Sequence, residues 1–146
     1  LSRKGRGEHG RTAGVQQAPR EGKFGQALAG LREQGVLVVG SGSMTHNLAE
    51  FFGGAREPAP YVVEFSRWIE SAIQHGSLKA LLDYRTEAPH AQRAHPTDDH
   101  FLPLFFALGA GGFGQDGQAP VKADYLSREV MYSMLAMDSF AVREAA

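Results

Sequence analysis

Six histidines, His9, His46, His75, His90, His95 and His100, are the side chains of this sequence best suited to chemistry. A neutral imidazole offers a metal-binding nitrogen or a proton-transfer group near neutral pH. A histidine on a loop is ordinarily just solvated, which suffices for His75 and His90. His46 and His100 stand apart, because each falls where a sharp backbone feature brings it to the end of an element. His46 closes the run Gly35-Val36-Leu37-Val38-Val39-Gly40-Ser41-Gly42-Ser43-Met44-Thr45-His46-Asn47. His100 follows two acids in His95-Pro96-Thr97-Asp98-Asp99-His100-Phe101-Leu102-Pro103-Leu104. One of those carboxylates could ligate a metal or orient a ligand, although as helix-capping acids Asp98 and Asp99 need no such role. His95 and His100 are spaced like half of a zinc finger, a weak signal in a chain without cysteine. Spacing alone weighs a structural role for His46 and His100 as heavily as a functional one.

The elements that must position these groups follow from the apolar pattern. The β-branched run at residues 36–39, bounded by glycine, reads as a buried strand of a parallel or mixed sheet. The glycines and serines after it permit a sharp turn. His46 would then stand at the carboxyl end of the strand, where open α/β sheets bind ligands. Upstream, Phe24, Ala27, Leu28 and Leu31 recur at helical spacing as far as Gln34, with Gly35 as the C-cap. Residues 47–52 suit a short helix stopped by Gly53 and Gly54. The longest helical pattern spans residues 58–75, with Val62, Phe65, Ile69 and Ile73 on one stripe and Tyr61 and Trp68 beside it. Gly76 ends it, and Ser77 caps a second short helix through Leu82. Residues 85–96 are polar and read as a surface loop. Thr97 caps a helix that buries Phe101, Leu104, Phe105 and Leu108, with Pro103 early enough to be tolerated and His100 on the opening turn. After a glycine-rich break at 109–117, residues 121–132 and 133–142 read as strands, the latter alternating Met134, Ala136 and Asp138 against Leu135, Met137 and Ser139. The expected architecture is α/β, a mixed and mostly parallel sheet core flanked by helices.

Composition bounds the function. The chain has 146 residues, 42% hydrophobic and 21% charged, with a formal net charge of -1. That suits one domain with a real core and gives no overall attraction to nucleic acid or anionic membrane. No apolar run approaches the roughly 18 residues of a membrane span, and no signal-peptide pattern opens the chain, so the cytoplasm is the default location. The first residue is Leu1, and the start of the protein is expected upstream of it. Residues 1–22 carry Arg3, Lys4, Arg6, Arg11 and Arg20 among glycines, a composition that favours a disordered tail. No aromatic residue is interleaved there to stack on bases, so nucleic acid is not the expected partner. Residues 23–146 form the domain. The Gly40-Ser41-Gly42-Ser43 run has neither the spacing of a nucleophile elbow nor the lysine of a phosphate-binding loop.

The two histidine motifs together resemble the class III extradiol ring-cleavage dioxygenases, in particular the DOPA-dioxygenase type related to the catalytic B subunit of protocatechuate 4,5-dioxygenase. The helix carrying Phe65 and Trp68, and the late Ser133-Met134, fit the same pattern. The resemblance covers about residues 24–142, the C-terminal half of such an enzyme. It implies a non-haem Fe(II) or Zn(II) centre that inserts both atoms of O2 into a catechol beside its hydroxyls. On matching positions, His46 would be the acid/base for the catechol protons and His100 a metal ligand, and the two would converge in one cleft. The sequence departs from the family in lacking its two N-terminal histidine motifs, a histidine-glycine-serine-proline turn and a serine-alanine-histidine-tryptophan strand end. Glu8-His9-Gly10-Arg11 matches neither, the tail before Phe24 resembles nothing in the family, and Asp99 stands where a glutamate is expected. The implied chain is a fragment, inactive alone, that binds metal only when the missing ligands are supplied by its N-terminal half or a further subunit of a homo-oligomer. A non-catalytic structural or binding module that keeps the scaffold is the alternative.

Overall fold

A computed structural model describes residues 13–53, 57–115 and 121–144. The helices are α1 (Ala13–Ala27), α2 (Pro60–Gln74), α3 (Leu78–Leu82), α4 (Tyr84–Glu87), α5 (Ala91–Ala94) and α6 (Leu102–Ala110). The strands are β1 (Val121–Ser127), β2 (Val130–Met131), β3 (Leu135–Ala136) and β4 (Ser139–Glu144), and 3-10 turns occupy Ala29–Gln34 and Leu48–Gly53. None of these helices is long and apolar enough to cross a membrane.

The apolar stripe of α2 is the spine of the core. Val62, Phe65, Ile69 and Ile73 are all fully buried, as their helical spacing requires. Pro60 opens the helix, where a missing N–H costs nothing, and Gly76 at φ 65° follows its end. Phe65 packs on Phe101, which meets Tyr84 at a centroid distance of 4.7 Å and Phe105 edge-on at 5.4 Å. The residue after His100 is therefore anchored at the centre of the aromatic core.

Helices α1 and α6 cross at backbone contact. A methyl group on Gly25 would collide with the carbonyl of Phe106, and one on Gly109 with the carbonyl of Gly22. Glycine is thus obligatory at this crossing for lack of space. Ala18 on the same helix is fully buried. This packing carries α1 back into the stretch whose composition suggested disorder, because tertiary contact overrides weak local propensity. Residues 1–12 of that stretch lie outside the described residues.

Both sheets are antiparallel and two-stranded. β1 pairs with β4 from Val121 opposite Glu144 to Ser127 opposite Ser139, with an irregularity between Tyr125 and Ser127. β2 and β3 form a small hairpin, turning through Tyr132 and Ser133 at positive φ. The described residues therefore mix helix and strand but do not form the mostly parallel sheet expected from the sequence. The reason lies at residues 36–39. They adopt no strand, and Leu37 is 85% exposed and Val39 68% exposed. No neighbouring strand among the described residues supplies ladder partners. Instead these residues line one wall of an open apolar groove with Ala107, Phe140 and Val142.

Two further expectations change. The stretch 85–96 is not a solvated loop: it contains α4 and α5, and buries Ala88, Ala91, Ala94 and His95. The last long helix begins at Leu102 rather than after Thr97, which places Pro103 in its first turn, where its missing N–H is harmless. His100 consequently sits in the tight turn before α6, where the Asp98 carbonyl accepts from the N–H groups of Phe101 and Leu102.

Candidate functional site

Two separate sequence motifs are brought together by backbone contact. Gly40 and Gly42 lie directly against the turn that carries His100. A methyl on Gly40 would strike the Pro103 carbonyl, and one on Gly42 the carbonyl of His100. The glycines of the first motif are there to let this approach happen. The Ser43 N–H then donates to the His100 carbonyl at 2.9 Å.

From that point the chain is strapped on both sides. The Met44 N–H donates to the Ala136 carbonyl at 2.9 Å, and the His46 N–H to the Ala94 carbonyl at 2.8 Å. Thr45, fully buried, donates from Oγ1 to the Met134 carbonyl and accepts from the Ala136 N–H, both at 2.8 Å. Asn47 donates from Nδ2 to the Arg93 carbonyl at 2.8 Å and to Glu50 Oε1 at 3.2 Å. Arg93 in turn grips Glu50 and lies 4.1 Å over the Tyr61 ring. Burial and the neighbouring Glu50 push the Tyr61 phenol up to about 12, so it stays protonated.

The result is a defined imidazole pair. His46 and His100 stack with ring centroids 3.6 Å apart and planes 10° from parallel. His46 is half-buried and His100 exposed. Burial lowers the His46 pKa below the ordinary value, and the neighbouring His100 lowers it further. His46 therefore favours the neutral imidazole, able to accept a proton. With the planes parallel, a group held in the plane of one ring lies one ring-thickness from the plane of the other.

The remaining histidines behave differently. His95, read from spacing as a weak metal half-site with His100, is fully buried between Phe65 and Phe101, and donates from Nε2 to the Met44 carbonyl at 2.8 Å. Its role is to hold the strap. His75 is exposed and contacts Ser71, and His90 is exposed and contacts Glu64. His9 lies outside the described residues. Asp98 does not turn to His100: its carboxylate takes hydrogen bonds from Tyr84 Oη at 2.7 Å and from Arg85.

Beside His100 opens a recess of about 350 Å³, its mouth included, lined by Gly40, Gly42, Ser43, Met44, Phe101, Leu104 and Asp138. Asp138 was not singled out from the sequence, yet it had a signal: an acid in register with the inward-facing Met134 and Ala136.

Whether these residues could hold a metal is answered by the donor set. Among the described residues no group of three or more His, Cys, Asp or Glu side chains is arranged to bind an ion. The stacked pair alone does not make a metal centre.

With the geometry in place, comparison with known proteins adds the following. Residues 9–136 match the family model described as the catalytic LigB subunit of aromatic ring-opening dioxygenase. The match reaches back beyond Phe24, and so corrects the expectation that everything before that residue is foreign to the family. The 4,5-DOPA dioxygenase extradiol of Beta vulgaris is 43% identical over 90 residues, covering 62% of this chain and 34% of the relative. Its namesake in Portulaca grandiflora is 42% identical over 92 residues, covering 60% and 33%. That of Escherichia coli K12 is 30% identical over 106 residues, covering 68% and 36%. The chain thus spans about a third of the length of the curated relatives it matches.

Proposed function

The chain belongs to the family of the catalytic LigB subunit of aromatic ring-opening dioxygenases, and on that premise we propose that it is the part of an extradiol dioxygenase that supplies two histidines to a site opening catecholic rings with O2. The observation that carries this reading is the stacked pair of His46 and His100. His46 is the proton-transfer group. It is held by the strap at residues 43–47, and its lowered pKa leaves it neutral and ready to take a catechol proton. His100, exposed at the mouth of the turn, would be one nitrogen donor to an Fe(II) or Zn(II) ion. Such an ion would supply Lewis acidity toward the catechol oxygens. A stable centre needs about three protein donors, so the others come from outside the described residues, and the chain alone is inactive.

The open groove at Val36, Leu37 and Val39 supports a second reading, a binding module that keeps the scaffold without the chemistry. Titration with Zn(II) and with Fe(II) under anaerobic conditions separates the two. In the chain joined to the N-terminal portion of a relative, the first reading expects metal affinity that falls at least tenfold in His100→Ala and is retained in His75→Ala, together with ring-opening activity. Metal affinity indifferent to His100, with no activity in the joined protein, would leave the binding module.

A further inference from the structure

His100 stands in a turn that is held from behind. Of the two acids that precede it, Asp99 is exposed and Asp98 is buried. The Asp98 carboxylate accepts hydrogen bonds from Tyr84 Oη at 2.7 Å and from the Arg85 guanidinium, both on α4. Tyr84 is itself fully buried, and burial raises its pKa, so the phenol keeps the proton it donates. Arg85 is half-buried and supplies the counter-charge without which a buried carboxylate would be costly. Through its backbone carbonyl, Asp98 also takes the N–H groups of Phe101 at 2.8 Å and Leu102 at 3.0 Å, and so closes the turn around His100. The far side of the turn returns to the same helix, because the Phe101 ring packs on the Tyr84 ring at 4.7 Å. Helix α4 thus holds the chain two residues before His100 and one residue after it.

A stacked ring is displaced either by rotation about its own bonds or by movement of the backbone that carries it. Here that backbone has three fixed points: Asp98, Phe101 and the His100 carbonyl, which accepts from the Ser43 N–H at 2.9 Å. The Phe101 contact is apolar and therefore non-directional. The Asp98 bonds are charge-assisted, short and directional, which suits a group that sets a position. We propose that Asp98 is the positioning residue of His100: its bonds to Tyr84 and Arg85 hold the turn where the His100 ring meets His46, 3.6 Å away. The acid acts through the main chain and not on the imidazole. The brace stands on the packing of this chain, while its value for catalysis rests on the ring-opening reading above. In that reading a misplacement of about 1 Å between the two histidines would cost on the order of a hundredfold in rate.

Proton NMR of the full chain tests the brace. The stack is read as the difference in His46 ring-proton shifts between the chain and His100→Ala, together with the nuclear Overhauser contact between the two rings. Asp98→Ala should lose most of that difference and the contact. Asp98→Asn, which keeps an acceptor for Tyr84 and Arg85, should retain at least half of both. Gly25→Ala, which loosens the fold at the crossing of α1 and α6, should retain both in full below its thermal transition. Where Asp98→Ala does not fold, Tyr84→Phe combined with Arg85→Gln removes the same bonds and should give the same loss. A stack kept in full by Asp98→Ala or by that double variant, or lost equally in Gly25→Ala, would overturn the proposal. In the chain joined to the N-terminal portion of a relative, Asp98→Ala should lower metal affinity at least threefold, and by less than His100→Ala does. Metal affinity that responds to His100→Ala and not to Asp98→Ala would overturn the positioning role. A stack lost in Asp98→Ala, with metal affinity indifferent to both substitutions, would keep the brace and overturn the ring-opening reading.

Discussion

His95 gives its Nε2 proton to the carbonyl of Met44 at 2.8 Å, while its Nδ1 meets no partner in the aromatic core. This bond fixes the tautomer and ties the strap to the middle of the domain, two residues before His46. Protonating Nδ1 would place a cation among Phe65 and Phe101, and burial lowers the pKa from 6.5 to about 4.

A pH dependence of stability follows. The unfolded chain takes up a proton on His95 near pH 6.5 that the native chain refuses until about pH 4. Stability is therefore complete above pH 6.5 and falls as pH drops toward 4, by about 3 kcal/mol over that window. The lowered pKa of His46 acts in the same direction. Urea midpoints compared at pH 7.5 and 4.5 measure it, and the difference should shrink in His95→Gln. A difference unchanged in that variant would remove His95 from the account.

Thr45 tests the strap. Its hydroxyl serves both the Met134 carbonyl and the Ala136 N–H in a buried setting. Thr45→Val keeps the shape and strips both partners of their bonds, costing about 2–3 kcal/mol in chemical denaturation. Thr45→Ser should recover most of it. If valine and serine were equivalent, packing alone would be holding the segment.

Gly25 at the crossing of α1 and α6 and Gly30 in the 3-10 turn that follows α1 carry opposite predictions. Gly25→Ala drives a methyl into the Phe106 carbonyl and should destabilise by about 2 kcal/mol or more, despite the better helix propensity of alanine. Gly30→Ala meets nothing within 4 Å and should be neutral or stabilising by up to about 1 kcal/mol. Thermal melts of the two variants decide whether α1 belongs to the fold.

Leu37 checks the exposed run. At 85% exposure its side chain contributes little to the core, so Leu37→Lys should change stability by less than about 0.5 kcal/mol. The same change breaks the apolar groove and should lower any self-association seen by sedimentation. A loss of several kcal/mol would show that the run packs inside after all.

What was legible in the sequence is what depends on nearby residues. The α2 stripe, the Gly35 and Gly76 stops and the inward alternation of Met134 and Ala136 are local patterns, and each is visible before folding. The meeting of His46 and His100 was reached through motif resemblance, because periodicity cannot bring together residues on a turn and on a strap. Residues 36–39 misled for a physical reason: β-branched residues report an affinity for a sheet, and no strand among the described residues is there to receive them. His95 misled in the other direction, since a polar stretch with proline reads as solvated until the aromatic core is known to fold over it. Asp138 was visible only as one letter in an alternating run.

Thr45 is bonded to residues 89 and 91 positions further along the chain. The bonds from residues 43–47 to Arg93, Ala94 and His100 need nothing beyond residue 100, but the strap through Thr45 closes only when Met134 and Ala136 arrive. Long loop closures of this kind are slow to nucleate, so that second half of the grip on His46 should be completed late in refolding, after α2 has gathered the aromatic rings.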